Sequence, residues 1–375
     1  MSTIGAVAGV AALVVSILAY VRTGRSRPFA FRLSARPLGA AAVLVAAAAT
    51  AGALYASEAS QATSSRPAAE PVWWTIQHIP HGQAAAAEAP LKPATLPPIS
   101  EGTVVRRTIV VENKTVEIAP GVRVNAWTFN GTVPAPTIHL RVGQTLKVHF
   151  VNHGTTWHSF DSHGAELPYQ HANQDIGVGQ THDFTYVARI PGAWLYHCFT
   201  FPGAAHIAAG MYGAIVVDDP KHPLPKADKQ FVLVAGEWYL DGDGQSTPAN
   251  TDPKKAQSGF PDYATFNGYW QEYSYRPFNV RPKKLVRFYV VNAGPNFSVA
   301  FHVVGGIFNR VYPDSDVHHY ETGIQTTDVP AGGAAIFDIK FQKVGVYNFV
   351  NHVFANAVKG QLGEIVVGNP TGTGG

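Results

Sequence analysis

The sequence predicts an all-β body of two tandem β-sandwich domains, preceded by two transmembrane α-helices and an extended tether. Three observations predict it. From residue 103 onward, short runs rich in Val, Ile, Phe and Tyr are punctuated by Gly, Pro and Asn, the signature of strands joined by turns. Three fragments of the first half recur in the same order in the second. Near the N-terminus, two uncharged runs flank an arginine-rich stretch.

Taken in chain order, residues 4–21 and 38–57 carry no charge, and each approaches the roughly 20 residues a helix needs to cross a bilayer. Arg22, Arg25, Arg27, Arg32 and Arg36 lie between them. The positive-inside rule puts that loop in the cytoplasm and everything after the second span on the periplasmic, extracytoplasmic side, so residues 1–57 read as a two-pass cell-membrane anchor. Residues 58–102, rich in Ala, Pro, Ser and Gln, read as a tether, interrupted by Trp73, Trp74 and Ile76 as an interfacial aromatic anchor. Strand-like runs then fall at 108–112, 145–152, 183–188, 214–218, 230–235, 285–292, 335–341 and 364–367.

The repeat sets the domain count. Thr128-Phe129-Asn130-Gly131 recurs as Thr265-Phe266-Asn267-Gly268, Asn152 closes a run whose counterpart closes on Asn292, and Ile215-Val216-Val217 recurs as Ile365-Val366-Val367. A polar, Pro-containing linker begins at Asp218. The first domain therefore spans 103–222 and the second 223–370, with a tail at 371–375. A net charge of +3 with no basic stripe argues against a nucleic-acid partner.

Cys198 is the single cysteine, which rules out an internal disulfide, a C-x-x-C-H haem attachment and any thiolate-bridged cluster within the chain. Most lone cysteines are small buried hydrophobes. Here, however, His206 and Met211 follow within one loop and His158 precedes, and the chain's other methionine is the initiator. A thiolate, two imidazoles and a long axial thioether make up a blue-copper electron-transfer site. Because side chains alternate along a strand, His197 faces away from Cys198, and His163, five residues after His158, faces away from that ligand. His163 and His197 thus offer a second metal site, and His352 near the end of the second domain is the candidate third imidazole.

These residues give the chain a resemblance, over about residues 124–368, to the copper-containing nitrite reductases, which are two-domain cupredoxin proteins. Residue by residue, the resemblance implies type 1 copper at His158, Cys198, His206 and Met211 and type 2 copper at His163, His197 and His352, two coppers per chain. It also implies that Asp161 and His302 hydrogen-bond substrate through water and deliver protons. A homotrimer is implied as well, with each type 2 site shared between the first domain of one subunit and the second of its neighbour. Nitrite is the implied substrate, and electrons must come from an external donor: a small cytochrome c, a cupredoxin or a membrane donor. The chain departs from the family in the loop Gly164–Asn173, at Ile307, where some members carry His, and at Gln325-Thr326, where a Glu-Thr pair occurs.

Two other functions stand as alternatives. A membrane-tethered cupredoxin electron carrier would need one copper, and a laccase-like multicopper oxidase four. The trinuclear cluster of the latter takes eight imidazoles, usually from His-x-His pairs, and no His-x-His occurs in this chain.

Overall fold

A computed structural model describes residues 93–172, 174–242 and 247–369. The predicted anchor spans and most of the tether lie outside the described residues; among those described, no helix is long and apolar enough to cross a membrane.

The first half folds into eight strands: β1 (Val104–Ala119), β2 (Val122–Phe129), β3 (Ala135–Arg141), β4 (Thr145–Asn152), β5 (Asp161–Ser162), β6 (Thr181–Val187), β7 (Gly192–His197) and β8 (Tyr212–Asp218). They form two mixed four-stranded sheets, ordered β2-β1-β4-β6 and β3-β8-β7-β5. Alternation along β4 (Leu146, Val148 and Phe150 inward) and along β8 (Ile215 and Val217 inward) closes one core between them.

Ten strands follow: β9 (Lys229–Trp238), β10 (Tyr263–Phe266), β11 (Phe278–Val280), β12 (Leu285–Asn292), β13 (Val299–Val303), β14 (Arg310–Tyr312), β15 (Thr326–Val329), β16 (Ala334–Lys340), β17 (Gly345–Asn351) and β18 (Leu362–Val367). Their sheets run β10-β9-β12-β16-β14 and β11-β18-β17-β13-β15. This is a second cupredoxin-like sandwich.

The repeat is visible in the hydrogen bonds. Asn130 and Asn267 adopt left-handed φ of 56° and 55°, and each is followed by a left-handed Gly, as a tight Asn-Gly hairpin turn demands. The Asn130 amide oxygen accepts from Val110 N–H and the Asn267 amide oxygen from Val234 N–H, both at 2.7 Å. Asn152 and Asn292 likewise each accept from the N–H two residues on and donate to two carbonyls across the following loop.

The two sandwiches share a third core. Tyr212, Ala214 and Val216 of β8 face Val232 and Val234 of β9, Tyr289 and Val291 of β12, and Ala334 and Ile336 of β16. A buried side chain of this kind contributes roughly 1.5–3 kcal/mol, so the domains are held as one body. Close approach demands glycine here: a Cβ at Gly236 would lie 2.1 Å from the Tyr212 hydroxyl oxygen.

The last residues of the tether stretch are tied down. Leu96 N–H donates to the Gln230 carbonyl, Val232 N–H to the Ala94 carbonyl, and Ser100 N–H to the His139 carbonyl. Residues 93–102 therefore run along the folded body.

Candidate metal centres

Both clusters are built at one end of the first sandwich. β7 ends at His197, so Cys198 is the first residue of the loop, and β8 resumes at Tyr212, next to Met211. Between them the short helix Gly203–Ala208 turns His206 inward, where it is buried with His158. The Cys198 Sγ lies 3.2 Å from His206 Nδ1 and 3.8 Å from His158 Nδ1, and the two imidazole nitrogens are 3.2 Å apart. Met211 is fully buried in the same core, its carbonyl accepting the Cys198 N–H at 3.1 Å.

Burial, reinforced by the neighbouring His206, lowers the pKa of His158 to about 3. Burial lowers that of His206 to about 4, partly opposed by Asp175. Both rings are thus neutral lone-pair donors at physiological pH. The Cys198 thiol is pushed up by burial, against the pull of hydrogen bonds from Ser159 and Thr200. Two neutral imidazoles and a thiol crowded around one point form a donor set suited to a soft cation.

The second cluster lies on the other face of the β7 end. His163 Nε2 and His197 Nε2 are 3.0 Å apart, and Asp161 Oδ2 is 3.5 Å from His197 Nε2 and 3.8 Å from His163 Nε2. Strand pairing places Asp161 directly opposite His197. His197 Nδ1 donates to the Cys198 carbonyl at 2.9 Å, which fixes the tautomer and turns the Nε2 lone pair toward His163. Desolvation chiefly lowers the pKa of His197, and the carbonyl bond opposes that shift.

His352 does not join this group within one chain; among the described residues, the ligand atoms that converge there belong to Asp161, His163 and His197. It follows β17 in the second domain and is exposed, with Phe354 and His302 as aromatic neighbours at 4.5 and 5.4 Å between ring centroids. His302 Nδ1 donates to the Gln325 carbonyl at 2.8 Å and lies 3.2 Å from Thr326 Oγ1.

Two multicopper oxidase family models match the chain, over residues 110–222 and 229–366. A copper-containing nitrite reductase of Neisseria gonorrhoeae is 38% identical over 269 residues, covering 70% of this chain and 68% of that protein. The chain belongs to the copper-containing nitrite reductase family. A more distant relative of that name, from Alcaligenes faecalis, is 27% identical over 68% of this chain and 73% of its own length. Among solved structures, a copper nitrite reductase from Nitrosomonas europaea superposes with a TM-score of 0.67 at 31% identity, covering 71% of this chain and 94% of that one.

Some neighbours of the metal-centre residues were not singled out from the sequence. Trp127 packs edge-on against both His158 and His206, with centroids 5.3 and 4.8 Å apart. Its place just before the repeated Thr-Phe-Asn-Gly motif was the available signal. Ser159 N–H points at Cys198 Sγ at 3.4 Å, while Thr200 Oγ1 bonds Asp175 at 2.7 Å and Ser159 Oγ at 3.2 Å. No spacing rule joins Asp175 to the loop it steadies. Gln325 engages His302 through its backbone carbonyl, a group any residue supplies, and Thr326 adds its hydroxyl.

Proposed function

We propose that this chain is the catalytic subunit of a copper nitrite reductase, carrying out NO2− + e− + 2H+ → NO + H2O. The observation that carries the reading is the adjacency of Cys198 and His197, neighbours in sequence whose side chains enter two separate donor clusters on opposite faces of one strand end. Its relatives' names support the same reading.

The donor sets fit copper in two forms: thiolate, two imidazoles and a thioether at His158, Cys198, His206 and Met211, and imidazoles alone at His163, His197 and His352. When bound, copper supplies a one-electron couple at the first and Lewis acidity at the second. The chain's own residues do the rest. The peptide link between Cys198 and His197 is a short covalent route for the electron. Asp161, beside His163 and His197, accepts and returns a proton to bound substrate. His302 shares that role, its Nδ1–H being held by the Gln325 carbonyl, so that Nε2 is the ring atom available for proton exchange.

Asp161, His163 and His197 lie on one domain and His302 and His352 on the other, so completing the site calls for a second copy. A head-to-tail contact of that kind makes a ring when its rotation closes, and we assign a closed homotrimer. Phe354, exposed and 4.5 Å from the His352 ring, gives that face the apolar character of a contact surface. Mixing inactive His163→Ala and His352→Ala subunits restores some activity if the ligands come from different chains; no recovery after verified exchange excludes the shared site.

Electrons enter from the side of His206, where Trp157 and Phe201 are exposed, from a small cytochrome c, a cupredoxin or a membrane donor. Residues 4–21 and 38–57 keep the protein on the membrane, with the catalytic domains extracytoplasmic. Recovery of the full-length protein in the soluble fraction would refute that placement. The deciding assay follows nitrite and nitric oxide together, anaerobically, with the copper-loaded protein and a small reductant. Equal consumption and production with two coppers per chain supports the reductase; one copper without turnover indicates a carrier, and four with oxygen uptake an oxidase.

A further inference from the structure

Away from the two centres, Asp219, His222 and His318 each turn one ligand atom to a common point, all within 4.8 Å of one another. We propose that these three residues form a third metal site, for a divalent cation of the Zn2+ class, that ties the interdomain linker to a loop of the second domain. Asp219 and His222 lie between β8 and β9, and His318 follows the turn Pro313–Ser315.

The geometry resembles that of the two centres already described. The His222 and His318 rings meet edge-on at 77° with centroids 5.4 Å apart, compared with 76° and 5.0 Å for His163 with His197 and 73° and 5.1 Å for His158 with His206. Asp219 Oδ2 lies 2.9 Å from His222 Nδ1. A tetrahedral ion with bonds of ~2.0–2.1 Å holds its ligand atoms ~3.3 Å apart, so a small adjustment admits the metal.

The ligands rest on fixed chain. The other Asp219 oxygen accepts the Lys221 N–H at 2.8 Å, Oδ2 takes the His222 Nδ1–H that a bound metal would displace, and Asp316 holds the His318 N–H at 2.9 Å. Leu224 and Val317, close in sequence to His222 and His318, pack onto the interdomain core. One carboxylate and two neutral imidazoles carry a single negative charge and no thiolate. That set suits Zn2+ and its borderline neighbours, whereas Ca2+ and Mg2+ take oxygen ligands. His222 is 66% exposed at its side chain, so the ion can enter from solvent and keep water in its open position.

The test uses the full copper-loaded protein dialysed against Zn2+ alone, with zinc and copper counted per chain. One zinc per chain retained beyond undiminished copper is expected, together with a rise in Tm. In His222→Ala and in His318→Ala, affinity for that zinc should fall by more than about 100-fold, beyond the 10–100-fold typical of losing an outer-shell partner. Asp219→Asn, which keeps the side-chain shape, should weaken it as well. No retained zinc in the wild type, or equal retention in the double His variant, overturns the proposal and leaves Asp219 and His222 as a surface hydrogen-bonded pair. The metal count does not depend on nitrite turnover, so its failure is distinct from failure of the reductase reading.

Discussion

β7 and β17 end in the same backbone arrangement with opposite chemistry. In the first domain, Cys198 N–H donates to the Met211 carbonyl at 3.1 Å and Met211 N–H to the His206 carbonyl at 3.3 Å. In the second, Asn351 N–H donates to the Gln361 carbonyl at 3.0 Å and Gln361 N–H to the Asn356 carbonyl at 3.1 Å. Ser159 N–H points at Cys198 Sγ just as Ala300 N–H points at the Asn351 amide oxygen. Asn351, Asn356 and Gln361 thus stand where Cys198, His206 and Met211 stand, and Val299, before Ala300, fills the second core where His158 stands in the first. Asn351 Nδ2 then bonds Gln361 Oε1 at 2.6 Å. A buried polar group needs a partner. In one domain the Asn351 and Gln361 amides bond each other; the other gathers a thiol and two imidazoles, a metal-ligand set, at the same place. The scaffold itself therefore does not require metal, and the metal-binding chemistry is a local substitution upon it.

The largest effect that could break this contrast comes from Cys198→Ala. The variant should fold, lose the intense visible thiolate-to-copper absorption and reduce nitrite only at background, while retaining copper at the other centre. Unchanged colour would remove the basis of the assignment. Asp161→Asn should keep both coppers and lose roughly 10²-fold in turnover, the usual scale for a positioned acid or base, and His302→Ala should behave likewise with an altered pH–rate profile. Wild-type rates in both variants would take the proton relay away from them.

A third expectation sharpens the contrast through pH. His158 and His206 titrate at about 3 and about 4 when folded, against an ordinary 6.5, so the unfolded chain binds more protons than the copper-free folded one between those values. Their contribution is fully present above pH 6.5 and is lost as pH falls through 4 and then 3. The copper-free protein should therefore lose Tm across that window, and His158→Gln should flatten the loss. The amides of Asn351, Asn356 and Gln361 add nothing to it. The smallest effect is Asn351→Ala: removing a buried amide that serves Gln361, Ala300 and Val353 should cost roughly 1–3 kcal/mol in denaturant unfolding, with colour intact.

Much of this was legible in the sequence, for physical reasons. Asn152 and Asn292 could be paired because each closes an alternating strand, and the described strands Thr145–Asn152 and Leu285–Asn292 keep the bounds read from pattern alone. The first centre could be read because a single cysteine has few alternatives. The end of β7 was read as extended from His197 and Cys198, but the run Gly192–His197 shows no period of two because it is buried almost throughout. Docking of residues 93–102 depends on backbone hydrogen bonds, which leave no side-chain pattern. Asp219, His222 and His318 meet only through the fold, since almost a hundred residues separate the linker from His318.

The central claim is that the clusters meeting at Cys198 and His197 work as one unit on nitrite. Fully reduced, copper-loaded protein mixed anaerobically with nitrite tests it in a single trace. The visible thiolate-to-copper band should return in step with nitric oxide in the wild type, and should stay bleached in His163→Ala, whose coloured centre is untouched. Return of the band at the wild-type rate in His163→Ala, or its return in the wild type without nitric oxide, would contradict the account.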